Sequence, residues 1–95
     1  MMARTTAAEL LENVNGINSR YRALCRTETD IELFNFLNRE LPPAYKKLTE
    51  AHKLTVSRPD YKTAVHLYNG LYAEAVEICA GHGYELDNAI QRIKE

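Results

Sequence analysis

An all-α fold, a small antiparallel bundle of four to five helices, follows from three observations on this 95-residue chain. Apolar residues recur at spacings of three and four almost throughout, which is the period of a helix face. Capping residues and helix stops alternate at short intervals. No segment shows the two-residue alternation of a strand. Links this short make successive helices pack side by side in opposite directions, and a chain of this length amounts to a single helical domain, 1–95.

The first helix is expected over about 6–26. Thr6 with Glu9 three residues later forms a capping box. Leu10, Val14, Ile17, Tyr21 and Leu24 then form one continuous seam, with Ala7 extending it backwards. Asn15-Gly16 is a turn signal, yet the seam keeps phase across it, which favours one helix over a hairpin broken there. A second Thr-x-x-Glu box, Thr29 with Glu32, opens a helix over 30–40. Ile31, Phe34, Leu37 and Leu41 lie on one side of it, and Leu33 and Phe36 lie nearly opposite. A helix that is apolar on two sides belongs between neighbours or at an interface.

Pro42-Pro43 is expected to stop that helix and to open the next, over 43–56. Tyr45, Leu48, His52 and Val56 make its apolar stripe. The main helix is expected over 58–80. Ser57 caps it, Pro59 sits in its first turn and Asp60 stands at its positive end. On a helical wheel Val65, Tyr68, Tyr72, Ala75 and Cys79 all fall within about 40° of Tyr61. Asn69, His66, Glu74 and Glu77 fall on the other, solvated half. Gly81-His82-Gly83 ends the helix, and a last helix over 84–94 is expected to pack through Leu86, Ala89, Ile90 and Ile93. Asn69–Val76, reading NGLYAEAV, resembles the Gly-x-Tyr-x-x-Ala opening of the second helix of a tetratricopeptide repeat. No second copy at a period of ~34 residues accompanies it, and the apolar arc runs through without a turn.

The composition, 45% hydrophobic and 26% charged, excludes a disordered chain. No run approaches the ~18 apolar residues of a membrane span, so no membrane role is expected. Glu9 and Glu12 interrupt the amino-terminal stretch, which therefore lacks the apolar region of a signal peptide. Two cysteines placed in helices suit reduced thiols and a cytoplasmic location. The net charge of -1 gives no global field for nucleic acid. Charge is nevertheless uneven: residues 39–62 carry six cations against three acids, and residues 63–95 carry two against five. These two halves are expected to face each other across the bundle or across an oligomer.

Catalytic and metal chemistry find little support. Cys79-x-x-His82 has ligand spacing, but zinc needs three or four ligands and Cys25, His52 and His66 are scattered singly. A cysteine in an apolar face has a raised pKa and is a poor nucleophile, and Ser57 is committed to its cap. No metal, cofactor, small-molecule substrate or enzymatic activity is expected.

Association is the stronger reading. The six tyrosines without a tryptophan form a skewed aromatic set, and tyrosine favours interfaces as well as core rims. A candidate protein interface, with a second copy of the chain or with a larger partner, consists of Tyr61, Val65, Tyr68, Tyr72, Leu33 and Phe36. The competing reading packs the same tyrosines against this chain's own helices. A weaker alternative is nucleic-acid binding by Lys46, Lys47, Lys53, Arg58 and Lys62, with Tyr21, Tyr45 and Tyr61 interleaved for stacking on bases. A third, a small inhibitor or accessory subunit of a larger complex, shares its sequence signs with the first.

Overall fold

A computed structural model describes residues 6–55, 58–86 and 89–95, with side chains throughout except at 52–55. The described residues form three α-helices and no strand: α1 (Ala7–Leu24), α2 (Asp30–Thr55) and α3 (Pro59–His82). The all-α class agrees with the sequence, but the count is three rather than four or five. The two expected helices over 30–40 and 43–56 are one, and the segment expected as a helix over 84–94 is non-helical at 84–86 and 89–95.

Helix α1 follows its seam. Thr6 caps it, its Oγ1 accepting the Glu9 N–H at 3.1 Å. Ala7, Leu10, Val14, Ile17 and Tyr21 are buried, and the helix runs unbroken through Asn15-Gly16. Successive turns at Cys25–Thr27 close it, with the Glu28 N–H donating to the Leu24 carbonyl at 2.8 Å.

Helix α2 passes straight through Pro42-Pro43. Each proline withholds a backbone donor and crowds the preceding turn, costing about 3 kcal/mol relative to alanine. Burial opposes this cost and outweighs it. Leu33, Leu37, Leu41, Ala44 and Leu48 recur at helical spacing on both sides of the prolines, and all are buried. Burying each leucine contributes roughly 1.5–3 kcal/mol. A break at Pro42 would rotate Ala44 and Leu48 off that line. The 26-residue rod that results matches the 41 Å long axis of the molecule.

Arg58, not Ser57, is the N-cap of α3. Pro59 at the first helical position forces its predecessor into extended geometry, and Arg58 has ψ 133°. Ser57 and Val56 lie outside the described residues. At the other end, Gly83 turns left-handed at φ 72° and its N–H closes onto the Cys79 carbonyl at 2.8 Å.

The helices run up, down and up. Asp30 at the start of α2 meets His82 at the end of α3, and Tyr21 near the end of α1 reaches Glu74 late in α3. All three pairs touch and share one core, which Ile90 and Ile93 of the last segment complete. Ile31 stays exposed, while both Phe34 and Phe36 are covered. Phe34 lies against Tyr84 at 5.1 Å between ring centroids, and Phe36 lies against Tyr21 at 6.5 Å. The two apolar sides of the early part of α2 thus both face this chain.

Replacing Pro43 by alanine is expected to raise stability by ~1–3 kcal/mol in urea unfolding, because the proline stands inside a helix. A helix starting at Pro43 would instead lose stability on that change. Gly16→Ala is expected to add ~0.5–1 kcal/mol, since an added Cβ meets nothing within 4 Å.

Candidate functional site

The feature with the most specific geometry is the seat of the last segment on α3. Beyond Gly83 the chain doubles back. Tyr84 stacks on His82 at 5.2 Å between centroids and meets the Phe34 ring at a tilt, 5.1 Å away. Residues 89–95 then run antiparallel to α3, with Ala89 beside Pro42, Pro43 and Tyr45 of α2. Ile90 and Ile93 point into the core.

The polar contacts of this segment go mainly to its backbone. The Tyr68 hydroxyl donates to the Gln91 carbonyl at 2.7 Å. The Asn69 amide faces Ile93 with both ends: its Nδ2 donates to the Ile93 carbonyl at 2.7 Å, and the Ile93 N–H donates to its Oδ1 at 2.9 Å. Those two bonds copy the exchange made by a hydrogen-bonded residue pair in an antiparallel ladder. Asn69 is 7% exposed, so an unpaired amide there would be costly. Asn69 Nδ2 also reaches Glu95 Oε2 at 3.2 Å, and His66 Nδ1 lies 3.1 Å from Glu95 Oε1. The hydrogen bonds from His66 and then Asn69 hold the Glu95 carboxyl below its ordinary range. Ile90 and Ile93 are three apart, which reads as helix in the sequence. A short helix lacking strong caps is marginal on its own, and here Tyr68 and Asn69 offer its backbone an alternative set of partners.

Three of the residues expected at an interface, Tyr61, Val65 and Tyr68, line this side of α3 and are buried within the chain, while Tyr72 is half-buried. The Tyr61 hydroxyl donates to the Leu48 carbonyl of α2 at 3.0 Å. The Tyr68 ring meets Tyr45 at 5.9 Å and Tyr72 at 6.5 Å. Leu33 and Phe36 are buried on α2, with the guanidiniums of Arg20 and Arg39 each 5.6 Å from the Phe36 centroid. The tyrosine stripe therefore packs on this chain's own α2 and last segment. Burial raises the Tyr68 and Tyr61 phenols above their ordinary pKa.

A second feature is an open cleft of about 340 Å³ where the end of α1, the start of α2 and the end of α3 meet. The Tyr21 hydroxyl donates to Glu74 Oε2 at 2.8 Å, and Arg22 Nη1 lies 3.1 Å from Glu74 Oε1. Burial pushes the Glu74 carboxyl up, but these two donors outweigh it and hold it below its ordinary range. Burial and then the Glu74 carboxylate raise the Tyr21 phenol. His82 Nε2 lies 2.8 Å from Asp30 Oδ2 at the rim. Cys25 is exposed and Cys79 half-buried, both as free thiols, and burial raises Cys79. Among the described residues, no group of three or more His, Cys, Asp and Glu is placed to hold a metal ion.

Of the basic residues, Lys46 and Lys47 on α2, Arg58 at the N-cap of α3 and Lys62 in its first turn are exposed. The side chains of Lys53 and His52 lie outside those described. Ion pairs join α1 to both neighbours, Arg20 to Glu40 at 2.9 Å and Arg22 to Glu74 at 3.1 Å. None of the described helices is long and apolar enough to cross a membrane. Asn69 and Glu74 are the residues that sequence reasoning missed, since the wheel sets both on the solvated half.

No family model, no curated protein and no solved structure matches the chain.

Asn69→Ala is expected to cost ~1–3 kcal/mol, because it strands the Ile93 N–H and carbonyl; urea unfolding together with exchange of the Ile93 amide measures it. The raised phenols fix the alkaline limit. Tyr21, Tyr61 and Tyr68 are protonated in the fold at pKa values above the ordinary tyrosine value of 10.0. Their contribution is complete below about pH 10 and is lost as pH climbs through the raised values. Thermal melting between pH 9 and pH 12 is expected to show a plateau and then a fall.

Proposed function

We propose that the protein works without catalysis, by associating with another protein chain, and that the face it uses is the groove of α2 and α3 now covered by residues 89–95. One observation carries this reading. Tyr68 and the buried Asn69 hold a non-helical segment through its main chain, which is how peptide-recognition surfaces gain affinity independent of sequence. A homodimer, or the role of an inhibitor or accessory subunit in a larger complex, uses the same face with a different donor of the segment. The thiols of Cys25 and Cys79 are compatible with a cytoplasmic setting.

The nucleic-acid alternative at Lys46, Lys47, Lys53, Arg58 and Lys62 has weaker support. Two of its three stacking residues are spent: Tyr21 and Tyr61 are buried with their hydroxyls committed to Glu74 and Leu48, while Tyr45 is half-buried beside Tyr68. Exposed cations alone give binding that salt removes.

Any partner can enter the groove only if residues 89–95 leave it while the helices stay folded. Native-state hydrogen exchange is expected to show the Ile93 amide opening with a lower free energy than the core amides of α1 and α3. Exchange of Ile93 only through global unfolding would remove this reading.

A further inference from the structure

We infer that the groove between α2 and α3 accepts, from a partner protein, a non-helical segment with two aliphatic side chains three residues apart and a carboxylate two residues after the second, and that residues 89–95 are a resident stand-in for it. The inference rests on the association reading above and names the occupant.

The resident segment defines the chemistry. Its two apolar anchors, Ile90 and Ile93, are 3% and 8% exposed. Its terminal acid, Glu95, meets His66 Nδ1 at 3.1 Å and Asn69 Nδ2 at 3.2 Å. Between these points the seat touches main chain: the Gln91 carbonyl and both backbone groups of Ile93. Gln91, Arg92 and Lys94 are exposed, so the seat leaves those side chains unread. A foreign segment therefore needs only the aliphatic-x-x-aliphatic-x-acid pattern and a non-helical backbone. Beside it, Pro42, Pro43, Tyr45, Lys46 and Thr49 line an open hollow of about 510 Å³ next to Ala89. That hollow offers an incoming chain apolar surface and the Lys46 cation.

The seat and its occupant are separable by position in the chain. The segment is tethered through Gly83, whose left-handed turn already ends α3. Tethering gives the resident an effective concentration in the millimolar range, so a free peptide competes poorly until the resident is weakened.

The test uses a fluorescent peptide with the sequence of residues 89–95 and the full chain, read by anisotropy. The full chain carrying Ile93→Asp is expected to bind this peptide at least ~tenfold more tightly than the unaltered chain does. Adding Asn69→Ala is expected to reduce that binding at least ~tenfold, and the peptide carrying Ile93→Asp is expected not to bind. Circular dichroism checks that the helices persist. If Ile93→Asp unfolds the chain, Glu95→Lys serves, since it removes only the contacts of Glu95 itself, to His66, Asn69 and Arg92. Failure of the folded, opened chain to bind the peptide overturns the inference, as does equal binding of a scrambled peptide. Hydrogen exchange separates the two readings. A segment that opens in a chain that refuses the peptide overturns the occupant alone, and a segment that never opens overturns both.

Discussion

The line of Leu33, Leu37, Leu41, Ala44 and Leu48 along α2 is the constraint on which the rest of the molecule depends. It keeps one helix intact through two consecutive prolines. The rod spans the full length of the molecule and gives α1 and α3 a common wall. Local geometry and burial disagree at Pro42-Pro43, and burial prevails. The disagreement is nevertheless stored in the fold. The middle of α2 is held by its neighbours rather than by its own backbone, and it is where the last segment and the Tyr45 ring converge.

The tyrosines act on the same scale as that wall. Each of the three most deeply placed phenols joins two elements by its hydroxyl: Tyr21 ties α1 to α3 through Glu74, Tyr61 ties α3 to α2 through the Leu48 carbonyl, and Tyr68 ties α3 to the last segment through the Gln91 carbonyl. A hydrogen bond of this kind is worth about 1 kcal/mol net, but stranding its partner in the interior costs more. The rings supply area and the hydroxyls supply direction, so the stripe specifies which element lies where. Asn69 completes the pattern with a buried amide on α3.

Helix α1 and, to within two residues, both ends of α3 are legible in the sequence because their signals are local, although the cap of α3 is Arg58 rather than Ser57. Thr6, the 10-14-17-21 seam, Pro59 and Gly83 each act within one turn of themselves. What could not be read depends on distant partners. Pro42-Pro43 is a stop by every local rule, and only the core decides otherwise. Ile90 and Ile93 suit a helix until Tyr68 and Asn69, more than twenty residues away, take the Gln91 carbonyl and the backbone of Ile93. Asn69 and Glu74 fall on the polar half of the wheel, and only the arrival of Ile93 and of Tyr21 turns them inward. The tyrosine stripe is legible as an apolar surface, while its neighbour is not, since the covering segment gives a helical pattern and its described residues adopt none.

Gly83 has a consequence for timing. Its N–H seals the end of α3 onto the Cys79 carbonyl, so a segment leaving as proposed would carry no helical turn away with it. Its return would be the closure of a short loop, which takes ~10–100 ns. Under that proposal a competitor arriving by diffusion would not win a race against so fast a return. It would prevail by residence time, and the open hollow beside Pro42 and Lys46 is where longer-lived contacts would be available.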